Sequence, residues 1–202
     1  MTATMQWKTV GSINGATAVL LYFAAAFLPL PEALGYLTAF GFGPLLAVGF
    51  LGMGHHFRAG SAARLAEIAA LFGQAGGFIV LIMLTVQQAL FASMASARTV
   101  HNPDTVALVN TVQLGIDVAW DMAVGVAVVL FGLVWLSACR GLWRLLGLAG
   151  VVLGGLLIGF NLWFFPSPPV ESGSVDWGPF VAIWLLLAFV GLSWQPTSVE
   201  QP

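Results

Sequence analysis

The stretch PDTVALVNTVQLGIDVAWDMAVGVAVVLFGLVWLS, residues 103–137, decides the fold. From Met122 to Cys139 it is apolar apart from Ser137. Roughly 20 such residues on a helix cross the hydrocarbon of a bilayer, about 30 Å thick. The start of the stretch carries helix-opening chemistry. Asn102 suits an N-cap, Pro103 suits the first helical position, and Asp104 complements the positive end of the helix dipole. The reading is a transmembrane helix with a polar stripe along its first half.

The same pattern recurs on both sides of it. Apolar runs at 11–30, 36–56 and 66–95 precede it, and runs at 145–165 and 179–194 follow. Prolines stop several of them: Pro29 and Pro31, then Pro166, Pro168 and Pro169, then Pro196. The expected fold class is all-α, a polytopic membrane protein whose single domain, 1–202, is a bundle of about six transmembrane helices. Lys8, the first apolar run and Ala24-Ala25-Ala26 share features with a signal peptide, but the run is long for one and reads as the first span.

Composition gives the same answer. Hydrophobic residues make up 59% of the chain and charged ones only 7%, and the mean hydropathy is +0.97. A soluble domain carries roughly 25% charged residues, so lipid is the solvent this surface is made for. A net charge of -2 with no basic stripe excludes nucleic acid as a partner. Cys139 is the only cysteine, which excludes an internal disulfide, a C-x-x-C redox centre and a thiolate-rich metal site. The sequence names no cofactor.

Basic residues set the orientation. With an inside N-terminus, Lys8, Arg58, Arg64, Arg140 and Arg144 fall on the inner side and only Arg98 on the outer. The expectation is a cell-membrane protein with both termini in the cytoplasm. Tryptophans follow the same division: Trp7, Trp135, Trp143 and Trp194 toward the inner interface, Trp120, Trp163 and Trp177 toward the outer, and Trp184 deep. Helices one to three and four to six would run in opposite senses, as in an inverted repeat, but the halves share only Gly and Ala.

Small residues at four-residue spacing mark close helix contacts. Gly73 and Gly77 form one pair, and Gly150, Gly154, Gly155 and Gly159 line the fifth span. They serve packing inside the bundle or a dimer face on the fifth helix. Gln74 and Asn14 read as interhelical hydrogen-bonding groups. Glu67 reads as a first-turn acid near Arg64. His55 and His56 read as a solvated helix end, and adjacent residues point too far apart to share one metal easily.

Polarity concentrates on the fourth span. Asn110, Gln113, Asp117 and Asp121 follow at spacings of three, four and four, which places them on one stripe of a helix. An ionised carboxylate in hydrocarbon costs several kcal/mol, so it turns toward protein or water. Counting back from Arg140 puts Trp120 and Asp117 near the outer boundary. Gln87 and Gln88 on the third span and Asn161 on the fifth fall at the same level. The expected binding site is therefore an outer-leaflet polar pocket formed by Asp117, Asp121, Gln113, Gln87, Gln88, Asn161 and Trp120.

Two stretches carry a family resemblance: Gly43-Pro44-Leu45-Leu46 through Gly52, and Leu114-Gly115-Ile116-Asp117-Val118-Ala119-Trp120-Asp121. Through them the chain resembles small six-helix bacterial integral membrane proteins of unknown function. That resemblance implies the six-span scaffold and no reaction. Asp117-x-x-x-Asp121 is also similar to half of the paired aspartate motifs of membrane prenyltransferases, but the second motif and the diphosphate-binding basic residues are missing.

Three functional readings follow. The first is binding or transport of a small solute, cation or proton through the pocket. The second is a membrane enzyme acting on a lipid or isoprenoid, with the two carboxylates as acid and base. The third is an accessory subunit of a membrane complex or a homo-oligomer. The bilayer is a partner in all three.

Overall fold

The structure is a computed structural model that describes residues 3–95 and 103–195. Arg98, His101, the Asn102 cap and the Pro196 stop lie outside the described residues. Each apolar run becomes a helix, because a backbone in lipid must satisfy its own N–H and C=O groups. The helices are α1 (Ala3–Phe27), α2 (Glu32–His56), α3 (Ala63–Ala95), α4 (Pro103–Ala138), α5 (Leu142–Phe164) and α6 (Gly178–Trp194). A short 3-10 turn, Pro169–Ser172, interrupts the connection between α5 and α6. Among the described residues there is no strand.

Five helices are long and apolar enough to cross a membrane. The sixth, α6, has 17 residues and is just as apolar. At 1.5 Å per residue it reaches about 25 Å. This is an all-α membrane protein. Several helices extend beyond the apolar cores that announce them. The first begins at Ala3 rather than near residue 11, and ends at Phe27, before Pro29 can disturb it.

Short connections make sequential helices antiparallel neighbours. Each helix packs on the next along the chain, and α6 returns to α1. The six helices thus form a closed ring in chain order, with α6 leaning inward toward α2 and α4. The backbones of α1 and α4 do not approach each other, so side chains alone fill the space between them.

One end of this ring carries Lys8, Arg58, Arg64, Arg140 and Arg144, and is called the basic end. The other carries Glu32, Asp104, Glu171 and Asp176, and is called the acidic end. Toward the basic end the interior is filled. Phe50, Phe131 and Phe189 have no exposed surface. Phe50 stacks on Phe131 at 5.9 Å and meets Phe189 edge-on at 5.6 Å. Glycines allow the close helix approach that this filling needs. A Cβ on Gly132 of α4 would lie 2.7 Å from the Gly147 carbonyl oxygen of α5, and the reverse contact is also 2.7 Å.

The structure corrects several local expectations. Asn14 and Gln74 do not bridge helices. Their amides donate to Val10 O at 2.8 Å and Ala70 O at 3.1 Å in their own helices. Glu67 lies beyond the first turn of α3 and pairs with Arg58 at 3.4 Å rather than with Arg64. The two histidines are not a solvated end. His56 is buried among Phe57 and its neighbours, and His55 stacks on Trp7 at 4.7 Å. Trp135 is fully buried against Phe57 and Trp143 rather than spread at an interface. Trp184 is deep, and its indole donates to Leu146 O at 2.7 Å. The glycine row of α5 divides: Gly147, Gly150 and Gly154 press on neighbours, while Gly155 and Gly159 face open space.

Candidate functional site

The polar stripe of α4 turns inward at its deeper end. Asp121 is only 8% exposed and lies against α5, where Asn161 is completely buried. The Asn161 amide donates from Nδ2 to Asp121 Oδ2 at 3.0 Å and to Leu157 O at 2.9 Å. That second bond ties the amide to its own helix, so Asp121 is held by a fixed donor rather than a mobile one. Asn161 Oδ1, by contrast, is buried without a hydrogen-bond partner.

Asp117 is one turn nearer the acidic end, about 6 Å along the axis at 1.5 Å per residue. It is half-buried. Its carboxylate feels Asp176 and Glu171 from the α5–α6 connection, while Asp121 feels Asp117 and Asp176. The Tyr22 hydroxyl of α1 feels Asp176, Asp121 and Asp117 in turn. Four carboxylates therefore gather around one end of the ring. The salt bridge between Arg58 and Glu67 belongs to the opposite end. Among the described residues, no Lys or Arg forms an ion pair with Asp117 or Asp121. A charge enclosed this way requires a partner of opposite sign or a proton.

Two cavities flank this cluster. The smaller, about 20 Å³, is lined by Tyr22, Trp120, Asp121 and Gly178 together with apolar side chains. That is room for about one water-sized body. The larger, about 530 Å³, lies among α1, α2, α3 and α4 and includes Gln87, Gln88 and Trp120 in its wall. Three rings separate them, since Tyr22, Phe42 and Trp120 line both. Phe42 meets Trp120 edge-on at 5.9 Å, and Tyr22 stands 5.8 Å from Phe42 and 6.5 Å from Trp120.

The single pocket expected from the sequence is thus two spaces. Asp121 and Asn161 come together. Trp120 forms part of the partition. Gln87 and Gln88 face the larger cavity and not the carboxylates. Asp117 looks toward the acidic connection, and Gln113, half-buried two turns above Asp121, lines neither cavity. Sequence reading missed Tyr22, Phe42 and Gly178. An aromatic residue in an apolar span carries no mark of facing an acid, and Tyr22 was the one candidate with a polar tip.

The basic end holds a second polar group. Lys8 Nζ donates to the Gln195 carbonyl oxygen, and Cys139 Sγ lies 3.8 Å from Gln195 Oε1. Burial pushes the Cys139 thiol up to about 11, which keeps it protonated and unreactive at neutral pH. Among the described residues, no three His, Cys, Asp or Glu side chains form a set that could hold a metal ion.

The fold and site together define an all-α membrane protein with a buried carboxylate, Asp121, beside a small and mostly apolar cavity. Compared with known proteins, the chain matches no family model, no curated protein and no solved structure.

Proposed function

We propose that this protein binds a small monovalent cation or a proton at Asp121, entering from the acidic end, and carries it through the membrane. The observation that supports this most is the Asp121–Asn161 pair. Asp121 is almost fully buried, fixed by one amide, and without a cationic partner among the described residues. Its chamber has space for one water-sized particle, which fits a dehydrated ion or a protonated water and not an organic solute. Oxygen atoms suit such a guest. Asp121 and Tyr22 are among the residues that line the chamber, and Asn161, bonded to Asp121, holds an unsatisfied acceptor in Oδ1.

Asp117, Asp176 and Glu171 extend the negative field to the acidic end and would concentrate cations there. The basic residues at the opposite end support an acidic end facing outward from the cell membrane, with both termini in the cytoplasm. Between Asp121 and the basic end stand Phe50, Phe131 and Phe189. Passage therefore requires these rings to part.

The test is flux into sealed proteoliposomes, followed with a pH-sensitive dye and with sodium- and potassium-sensitive dyes. Asp121→Asn keeps the shape and removes the charge. The expected outcome is loss of flux to the protein-free background, with Asp117→Asn reducing the rate less. Equal flux in wild type and Asp121→Asn would remove the acid from the mechanism.

A further inference from the structure

The cavity of about 530 Å³ has a size typical of sites for small organic molecules. We infer that it is a ligand site in its own right, for an uncharged amphiphile with a hydrocarbon body and an oxygen-bearing head, taken from the surrounding bilayer. This inference does not depend on cation binding at Asp121.

The body follows from the wall. On α3, Val80, Met83, Leu84, Gln87, Gln88 and Phe91 line the cavity. Their spacing is that of one helical face, and it spans about 16 Å along the axis at 1.5 Å per residue. The deep part of this face is aliphatic. Opposite it lie Leu21 and Ala25 of α1 and Ala39 of α2, which offer only apolar surface. A hydrocarbon segment fits this slot.

The head follows from the polar groups. Gln87 and Gln88 are half-buried, face the cavity, and have no hydrogen bond to another described residue. The Trp120 ring lines the same space, but its indole Nε1 is itself shut off, so the N–H donors that reach the cavity are those of the two amides. The Thr38 hydroxyl spends its proton on Gly35 O at 2.8 Å and so offers a lone pair. Two amides offer N–H donors to an oxygen that accepts.

The charge follows from the neighbours. No Lys or Arg lines the cavity. Asp121 stands directly behind the aromatic partition, with Asp117 a turn away. An anionic head would meet repulsion with no counter-charge. The source follows from the mouth. Leu28, exposed by 57%, and Phe91, exposed by 52%, stand at the rim, so the entrance is greasy at the acidic membrane boundary.

The experiment uses the full chain in phosphatidylcholine nanodiscs and a diazirine-bearing long-chain alcohol as photoprobe. The matching long-chain carboxylic acid is the charged control. Labelled residues are located by mass spectrometry. The expected result is saturable labelling on Leu84, Phe91 or Trp120, displaced by unlabelled alcohol, with the acid probe roughly tenfold weaker. Gly35→Phe places a ring at a position that lines the cavity and where a Cβ meets nothing within 4 Å, and should remove the saturable label. Labelling of lipid-facing Ile68 and Ile82 stays unchanged and non-saturable. Gln87→Leu with Gln88→Leu should weaken the alcohol roughly tenfold by removing two neutral hydrogen bonds. If wild-type cavity residues label no more saturably than Ile68 and Ile82, or the acid probe equals the alcohol, the inference is overturned. A saturable label that survives in folded Gly35→Phe would also overturn it.

Discussion

Around Phe50, Phe131 and Phe189 the helices meet through glycines, and rings fill the space between them. A few turns closer to the acidic end three rings form a partition, and cavities lie on both sides. Both halves are built on the same α-helical backbones. The difference lies in what fills the interior. In the basic half apolar side chains contact one another directly, and helices in lipid hold together by such packing. Unpartnered buried polar atoms occur in both halves, His56 Nδ1, Trp135 Nε1 and Gln195 Nε2 toward the basic end and Trp120 Nε1, Trp177 Nε1 and Asn161 Oδ1 toward the acidic end. The acidic half is set apart by the buried Asp121 carboxylate and the cavities around it. A buried carboxylate is costly unless something completes it. On the proposed function the basic half serves as the scaffold and the acidic half as the place for a guest.

The sharpest way to break this contrast is to thicken the scaffold. Gly132→Leu drives side-chain atoms into the α5 backbone at 2.7 Å, and the expected outcome is loss of the folded, monodisperse protein in detergent. Survival of Gly132→Leu with an unchanged melting midpoint would mean that the α4–α5 contact is not the one described.

Removing a ring gives the next largest effect. Phe131→Ala leaves a void in a site with no exposed surface and should cost about 3–5 kcal/mol. Phe42→Ala removes the same ring from the partition, beside space that is already empty, and should fall at or below the low end of that range. Denaturant unfolding of both variants in one detergent checks the order. Equal losses would erase the difference between the halves.

Gly155→Leu points into open space on the outer face of α5 and should change stability by no more than about 0.5 kcal/mol. A large loss would reveal a partner on that face, which a shift in oligomeric state would register. Cys139 provides a probe that leaves the fold untouched. With its thiol held near 11, the reactive thiolate is scarce at neutral pH. Maleimide labelling should run roughly two orders of magnitude slower than for a free cysteine, and keep rising with pH toward that value. A rate that levels off near pH 8.5 would show Cys139 to be solvated. The same residue reports orientation, since a membrane-impermeant maleimide should reach it only from the side of the basic end.

The scaffold was readable in the sequence because lipid imposes a strong rule: a spanning segment must be long, apolar and helical. The runs ending at Pro29 and Pro166 show that rule directly. Asp121 and Asn161 were readable for the same reason, since each is a polar residue where hydrocarbon would reject it. Gln87 and Gln88 were placed at the right level but in the wrong space. Level follows from counting residues, whereas the space a side chain enters depends on how neighbouring helices rotate. Tyr22 and Phe42 divide the two spaces and were invisible, since an aromatic side chain in a span packs equally well against lipid or protein. Asn14 and Gln74 erred in a related way. An amide in a helix has carbonyls of its own preceding turn within reach, and these two used them instead of a neighbour.

The central claim is that the acidic edge of α4 turns onto α5 inside the ring. A double-mutant cycle on Asp121→Ala and Asn161→Ala, measured by reversible unfolding in one detergent, tests it most directly. Side chains bonded at 3.0 Å in a buried setting should show a coupling of about 1–3 kcal/mol, with the double variant losing less than the two single losses added together. Losses that add to within about 0.5 kcal/mol would place the two groups out of contact and leave the acidic chamber without its floor.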